Sequence, residues 1–275
     1  MPLTPFQQQL LADLLAPPND ERYLAGGAAL HFTPHSERFS NDLDFFHDSV
    51  ERVARAFAKD SAQLRSLGYE ITTDLSQPGF IRATVTRGGD ATRVDWAHAS
   101  AWRFMPLVRE LAGGWLLHPV DLAVNKVLAL AGRDEPRDFA DILFIHQRVL
   151  PLGATVWAAT GKDPGFTPLS LLELLKRRGR YRADDFARLH LAVPFDLVAA
   201  KQSWLAALDE AESFARSSPA DELGCLYWNA KTKAFEMPTE VSSRPAHVLP
   251  HYGRPFGVLP QVETGAEFET GGARS

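Results

Sequence analysis

Two aspartates, Asp42 and Asp44, stand at the start of an apolar segment that continues into Phe45 and Phe46. If this segment is a strand, residues two apart share a face and lie about 7 Å apart along it, so both carboxylates point the same way and Leu43 packs behind them. Two unpaired carboxylates on one face repel each other and favour a cation between them. Hard oxygen ligands of this kind suit Mg²⁺ or Mn²⁺. The alternative is a strand end whose acids are solvated and bind nothing.

Asp95 could supply a third carboxylate. Val94 and Trp96 alternate as the core face of a strand would, which leaves Asp95 on the opposite face together with Arg93. On a strand next to the first, this carboxylate would complete a site for one or two Mg²⁺ ions that bridge the phosphates of a nucleotide. A surface ion pair between Arg93 and Asp95 is the competing interpretation.

Gly26 and Gly27 lie between a predicted strand at 22–25 and a predicted helix start at 28–30. Free backbone N–H groups at the start of a helix bind phosphate, so this dipeptide could hold a triphosphate. The two standard glycine signatures for nucleotides are missing, because the chain has no G-x-G-x-x-G motif and 161–163 lacks the other residues of a P-loop. An ordinary turn is the alternative.

Charged residues also mark two predicted helices further along the chain. Lys126 lies off the apolar stripe of its helix, where a lysine usually extends along the surface. Asp138 and Asp141 are three apart near the start of the next helix, where acids stabilise the helix dipole. A purely structural role is the simpler interpretation for all three.

A basic segment from Lys176 to Arg182 holds five cations and a tyrosine in seven residues. In a chain of net charge −5, such a segment could contact a phosphate backbone, and a solvated helix end is the alternative. His31 and His35 are four apart, but they lack the glutamate and the third ligand of a zinc protease, so we expect no zinc there.

The composition is that of an ordinary globular protein, with 275 residues of which 45% are hydrophobic and 23% are charged. The single cysteine, Cys225, excludes an internal disulfide and fits a cytoplasmic location. The first twenty residues lack the features of a signal peptide, and no run of 18 apolar residues predicts a membrane span. The net acidity argues against a uniformly basic nucleic-acid-binding surface.

The elements that must position these residues change character along the chain. Strands at 69–75, 80–87 and 92–97, joined by glycine-containing turns, predict an antiparallel meander after a helix at 50–67. Helices are then predicted from Pro119 and from Pro136. We read 151–168 as a Pro/Gly-rich connection. Further helices are predicted near 169–178, 183–191 and 196–216, a short one at 5–15, and strand-like pieces at 225–228 and 234–237.

These elements predict an α+β fold in which a mixed sheet is flanked by helices and is followed by a helical C-terminal domain. We divide the chain into 1–150, a helical domain at 151–218, and 219–275, which holds short strands and a mobile Pro/Gly-rich tail.

The order of the motifs resembles the AbiEii/AbiGii-type nucleotidyltransferase toxins. The first motif of that family reads approximately G-G-[TS]-A-L, a spacer, then R-x-S-x-D-L-D-F, and later motifs contain a lysine and R-D-x-x-D-L. The resemblance covers about half of the chain, roughly residues 20–146. The matching segments are Leu24–Leu30, Arg38–Phe46, Leu117–Ala123, Lys126–Leu130, Arg133 and Arg137–Ile142.

The resemblance implies a nucleotidyltransferase-like catalytic domain at 1–150 and two sets of site residues. The implied catalytic set is Asp42, Asp44, Asp95, Lys126 and Asp138, of which the first three ligate metal. The implied nucleotide-binding set is Gly26, Gly27, Arg38, Ser40, Lys126 and Asp141. One position departs from the family, because Ala28 stands where the motif has Thr or Ser and offers no hydroxyl to a phosphate.

The function implied by the resemblance is an Mg²⁺-dependent (or Mn²⁺-dependent) transfer of a nucleoside monophosphate from an NTP to a hydroxyl. The acceptor would be a tRNA-like RNA 3′ end or a protein, in a toxin–antitoxin or phage-defence system with a cognate antitoxin and no membrane partner. Two alternatives stay open. One is a nucleotidyltransferase acting on small molecules. The other is a catalytically weak module that binds a nucleotide or a partner, for which Ala28 is the supporting feature.

Overall fold

The computed structural model describes residues 3–16, 22–31, 38–109, 114–189, 191 and 194–260, so the predicted tail beyond 260 and His35 lie outside the described residues. The helices are α1 (Pro5–Leu15), α2 (Gly26–Leu30), α3 (Val50–Ser66), α4 (Pro119–Arg133), α5 (Pro136–Arg148), α6 (Leu152–Lys162), α7 (Pro168–Arg177), α8 (Ala183–Phe186) and α9 (Leu197–Ser217). The strands are β1 (Tyr23–Ala25), β2 (Asp42–His47), β3 (Glu70–Gln77), β4 (Phe80–Arg87), β5 (Asp90–His98), β6 (Trp102–Arg103), β7 (Val108–Arg109), β8 (Trp115–Leu116), β9 (Leu226–Asn229), β10 (Ala234–Glu236), β11 (Val248–His251) and β12 (Arg254–Pro255).

The largest sheet has seven strands in the order β3-β4-β5-β2-β1-β8-β7. Its first three strands form the antiparallel meander that the sequence predicts. β2 runs parallel to β5 and antiparallel to β1, which makes the sheet mixed. Helices α1 and α3 pack on this sheet, and α4 contacts the short helix α2 beside it. The predicted α+β fold, with a mixed sheet flanked by helices, is confirmed.

Helix α4 belongs to two apolar cores at once. Leu122 and Ala123 pack into the core beneath the sheet, whereas Val124 and Val127 pack into a second core that the later helices build. This second core contains residues on both sides of position 150. The division of the chain at 150 and 218 therefore stays a prediction.

Helix α6 was not expected, because we read 151–168 as a Pro/Gly-rich connection. In the structure, residues 152–160 form helix and all of them are buried. A helix that is apolar on every side has no amphipathic period for the sequence to reveal. Gly161 at its end contacts Gly224 so closely that a Cβ at position 161 would lie 2.5 Å from the Gly224 carbonyl oxygen.

A left-handed aspartate, rather than a glycine, follows the last residue of α4. Gly132 lies within the helix, which ends at Arg133, and Asp134 takes the left-handed conformation at φ 47°. The C-terminal residues form a small sheet in the order β10-β9-β11, whose buried residues pack on α6 and α9. Within the described ranges, no single helix is long and apolar enough to cross a membrane. The bent pair α5–α6, with 115° between its helices, passes that test only when its two members are taken together.

Candidate active site

Three aspartates meet at the centre of the sheet. Asp42 and Asp44 alternate with the fully buried Leu43 on β2, and the parallel register places Asp95 of β5 directly beside Asp44. All three carboxylates line one cleft with a volume of about 350 Å³. The structure therefore brings together the three side chains that the sequence analysis selected as metal ligands.

Arginines hold two of these carboxylates. Asp42 accepts hydrogen bonds from Arg93 at 3.0 Å and from Arg137 at 3.3 Å. Burial raises the pKa of Asp42, but Arg137 and Arg93 outweigh burial and lower it below its usual value. Asp95 accepts two hydrogen bonds from Arg82, at 2.8 and 2.7 Å. The competing interpretation, an ion pair between Arg93 and Asp95, is wrong, because the register sets Arg93 beside Asp42.

Asp44 is the exception among the three. Among the described residues, its carboxylate has no hydrogen-bond or ion-pair partner. Burial, together with the charges of Asp42 and Asp95, raises the pKa of Asp44 to about 7. Without a counter-ion, this carboxyl therefore keeps its proton to a much higher pH than an ordinary aspartate does.

Gly26 and Gly27 line the cleft directly beside Asp44. Gly26 has a positive φ of 64°, and a Cβ at this position would collide with the Asp44 carboxylate. A Cβ at Gly27 would collide with the guanidinium of Arg38. Position 26 thus requires glycine, whereas a side chain at position 27 would have to displace the Arg38 guanidinium. The neighbouring Ala28 is fully buried in the sheet core, and it is not among the residues that line the cleft.

A buried ion-pair network lies behind the cleft. Lys126 contacts Asp141 at 2.6 Å and Asp138 at 3.1 Å, and both of these acids are fully buried. Arg38 makes two hydrogen bonds to Asp141, at 2.8 and 3.1 Å, and Arg133 makes two to Asp138, at 2.6 and 2.9 Å. The surface interpretation of Lys126 is therefore wrong, and Asp138 and Asp141 are its buried ion-pair partners.

The network fixes the charge states of its members. Burial opposes charge in all of them, yet Asp141 and Asp138 raise the pKa of Lys126, and Lys126 and Arg38 keep the pKa of Asp141 well below its usual range. Asp138 and Asp141 do not line the cleft themselves, whereas Lys126, Arg38 and Arg133 do. These two acids therefore act on the cleft through the cations they hold.

Ser40, from the predicted nucleotide-binding set, and His31, from the histidine pair where no zinc was expected, also have defined partners. Ser40 is buried and donates a hydrogen bond to the backbone oxygen of Asp42 at 2.9 Å, so it supports the start of β2. His31 contacts Asp141 at 2.8 Å, which joins it to the ion-pair network.

The basic segment of 176–182 is partly neutralised within the fold. Lys176 pairs with Glu212 at 2.6 Å, and Arg178 pairs with Asp134 at 3.3 Å. The other three cations, Arg177, Arg180 and Arg182, are exposed. Together with Lys201 and Trp204, the segment lines a second, open cleft.

Two charged residues of the active-site cleft, Arg82 and Lys162, belong to none of the motifs or site sets predicted from the sequence. Arg82 lies between the buried Ile81 and Ala83 on β4, so strand alternation could have assigned it to the same sheet face as the aspartates. Lys162 comes from α6, a helix that left no signal.

The donor chemistry fits a divalent cation, since three carboxylates converge and one of them is buried without a partner. As the side chains stand, however, no group of three or more His, Cys, Asp or Glu in the described part of the chain is arranged to hold a metal ion. Arg82, Arg93 and Arg137 occupy the carboxylate oxygens of Asp42 and Asp95 that such an ion would need.

Comparison with known proteins places this geometry in context. A family model described as nucleotidyl transferase AbiEii toxin, type IV TA system, matches residues 9–223. Similar solved structures include JHP933 from Helicobacter pylori (17% identity, TM-score 0.49, 76% of this chain and 91% of that one). The nucleotidyltransferase toxin MenT4, Rv2826c, from Mycobacterium tuberculosis H37Rv has 17% identity and a TM-score of 0.49 over 78% of this chain and 83% of its own. No curated protein sequence matches the chain.

Proposed function

The chain belongs to the AbiEii family of nucleotidyltransferase toxins, and on that premise we propose that its cleft transfers a nucleoside monophosphate from an NTP to a hydroxyl acceptor with Mg²⁺ or Mn²⁺ as the metal. The observation that carries the metal assignment is Asp44, which lies between two other carboxylates without a partner and has a raised pKa. Asp42, Asp44 and Asp95 would hold the metal. A divalent cation bound there supplies positive charge to the phosphate oxygens and lowers the pKa of an attacking hydroxyl.

The chain's own residues bind and orient the nucleotide. Gly26 and Gly27 line the cleft beside Asp44 and would bind the triphosphate through their backbone N–H groups. Lys126 has three N–H donors and two carboxylate partners, so one donor remains for a phosphate oxygen. Asp138 and Asp141 keep Lys126 and Arg38 charged and in place.

In the proposed reaction, the acceptor oxygen bonds to the α-phosphorus while the bond from that phosphorus to the bridging oxygen breaks, and pyrophosphate leaves. The proton of the acceptor hydroxyl passes to a carboxylate. We assign this role to Asp95, which requires that Arg82 first releases it.

The acceptor is proposed to be an RNA 3′ end, tRNA-like in shape, or a protein hydroxyl, and the protein is proposed to act in the cytoplasm as the toxin of a toxin–antitoxin or phage-defence pair. The family description as a type IV TA toxin supports the pairing with an antitoxin. The exposed arginines at 177, 180 and 182 support an RNA acceptor over a small molecule. Because Ala28 does not line the cleft, it removes no phosphate ligand from it, which favours an active enzyme over a binding module.

The test is a calorimetric titration of each NTP, with Mg²⁺ and with EDTA, into the wild type and Asp42→Ala/Asp44→Ala. We expect metal-dependent binding that the double variant loses. Glu51→Ala/Asp90→Ala is the control, because it removes two exposed acids that do not line the cleft. Equal binding by the wild type and the Asp42/Asp44 variant would contradict the site assignment. Labelled NTP then identifies the acceptor among RNA, protein and small molecules.

A further inference from the structure

Several lysines and arginines line the active-site cleft, and nearly all of them form ion pairs with carboxylates of the fold. Within the part of the chain that the structure describes, Lys162 is the only cleft cation that makes neither an ion pair nor a hydrogen bond. The paired cations and their partners are Arg38 with Asp141, Arg82 with Asp95, Lys126 with Asp138 and Asp141, Arg133 with Asp138, and Arg137 with Asp42.

Lys162 is held in place by the helix that carries it. It is the last residue of α6, and the helix end is anchored by the close contact between Gly161 and Gly224. Asp121 is the acid whose charge raises the pKa of Lys162. The two carboxylate oxygens of Asp121, however, accept hydrogen bonds from the backbone N–H groups of Phe104 and Met105. Lys162 therefore lines the cleft, and no carboxylate of the described residues makes an ion pair with its ammonium group.

The environment of Lys162 is costly for an unpaired cation. The side chain is half-buried, and burial lowers the pKa of its ammonium group. The charge of Asp121 acts in the opposite direction, and the like charge of Arg103 lowers the pKa further. A lysine with a purely structural role would gain from turning toward a carboxylate or toward bulk water. An anion bound in the cleft would compensate Lys162 without displacing any ion pair of the fold.

We infer that Lys162 binds a phosphate oxygen of the substrate in the active-site cleft, an inference that rests on the proposed nucleotidyltransferase function. The phosphate belongs either to the incoming NTP or to the backbone of an RNA acceptor. The helical part of the chain thus contributes a substrate-binding residue to a site whose carboxylates all come from the sheet.

The experiment compares the wild type with Lys162→Met, Lys162→Arg and the control Lys231→Met, which removes an exposed lysine from the turn between β9 and β10. Each protein is titrated with the four NTPs and with inorganic tripolyphosphate in the presence of Mg²⁺, and then with a total small-RNA fraction. Thermal unfolding is recorded for every variant, and Lys162→Gln replaces the methionine variant if that protein does not fold.

If Lys162 contacts the nucleotide, Lys162→Met weakens the binding of NTP and of tripolyphosphate about tenfold or more. Lys162→Arg retains most of the affinity, and Lys231→Met equals the wild type. If only RNA binding weakens, the contact is to the acceptor backbone. Unchanged binding of all three probes by Lys162→Met, while the wild type binds them, overturns the inference and leaves the proposed function standing. A wild type that binds no nucleotide overturns both.

Discussion

Arg82 and Asp95 face each other across the antiparallel pair β4–β5, and two hydrogen bonds of 2.8 and 2.7 Å join the guanidinium to the carboxylate. The arginine therefore occupies the carboxylate that a metal ion in the cleft would need. Arg93 and Arg137 do the same at Asp42. These three arginines would compete with the proposed metal ion for the carboxylates of Asp42 and Asp95.

Replacing Arg82 should tighten the binding of a metal ion to the cleft. In Arg82→Gln, the affinity for Mn²⁺ in the absence of nucleotide should rise about fivefold, which corresponds to the loss of one partly exposed ion pair. Calorimetry on the nucleotide-free protein measures this change. Arg55→Gln, which removes an exposed arginine of α3 outside the cleft, should leave the affinity unchanged. Weaker Mn²⁺ binding by Arg82→Gln would show that Arg82 does not compete.

Asp44 should make the metal-free protein less stable as the pH rises. Its pKa in the folded protein is about 7, above the value of about 3.9 in an unfolded chain, so the folded state binds the extra proton between these two values. The resulting stabilisation is complete below pH 4 and is lost as the pH rises through 7. His118 has the opposite effect because its pKa in the folded protein is lowered to about 4. It makes the protein more stable as the pH rises from about 4 to its unfolded pKa near 6.5.

The contribution of Asp44 is therefore measured as a difference. Between pH 4.5 and pH 8, the free energy of unfolding of the wild type should fall by roughly 2 to 4 kcal/mol relative to Asp44→Asn, measured by urea unfolding in EDTA. Mg²⁺ at pH 8 should restore stability to the wild type only. Parallel pH profiles of the two proteins would contradict the raised pKa.

Gly26 and Gly88 form a matched pair for testing the cleft wall. Both have a φ of 64°, but a Cβ at Gly26 collides with the Asp44 carboxylate, whereas a Cβ at Gly88 meets nothing within 4 Å. Gly88→Ala should cost only the backbone strain of about 1 kcal/mol. Gly26→Ala should cost more and should also abolish Mg²⁺-dependent NTP binding. Equal stability and equal NTP binding in the two variants would contradict the close contact between Gly26 and the Asp44 carboxylate.

Lys126 should be essential for stability as well as for the cleft. Lys126→Met leaves Asp138 and Asp141 buried with one cation fewer, at a cost of about 3 kcal/mol in the free energy of unfolding. Lys59→Met, at an exposed position on α3, should change stability by less than about 0.5 kcal/mol. Urea unfolding of both proteins decides between a buried network and the surface lysine that the sequence alone favoured.

Charge reversal of the exposed arginines at 177, 180 and 182 should show whether the acceptor is an RNA or a small molecule. Replacing all three with glutamate should remove transfer to RNA and leave Mg²⁺-dependent NTP binding unchanged, because none of them lines the active-site cleft. The matched control reverses Arg52, Arg55 and Lys59 on α3. A triple variant that transfers to RNA normally would assign the acceptor contact elsewhere.

Much of the sheet could be predicted from the sequence, because strand alternation and turn residues are signals between near neighbours in the chain. Alternation placed Asp42 and Asp44 on one face and buried Val94 and Trp96, and glycine turns gave the meander. The partners of the aspartates could not be predicted in the same way. Whether Arg93 pairs with Asp95 or with Asp42 depends on the register between β2 and β5, which are far apart in the chain.

The helical part of the site was harder to predict for two physical reasons. A buried lysine such as Lys126 has the same sequence spacing as a surface lysine, and its burial depends on the acids of another helix. α6 is buried on all sides, so the segment that carries Lys162 showed neither amphipathic period nor cap. The motif was enough to locate the site, but the positions of its cations could be found only from the tertiary structure.

The sharing of α4 between two cores has a consequence for how the protein is made. Domains form from the N-terminus as the chain leaves the ribosome. A nascent chain that has emerged only through α5 already carries every carboxylate of the cleft, but Val124 and Val127 still lack the helices that cover them. A premature stop codon or early proteolysis at this stage therefore leaves a fragment with an exposed apolar face. Translation through α6 and beyond therefore completes the cover of this apolar face and adds Lys162 to the cleft at the same time.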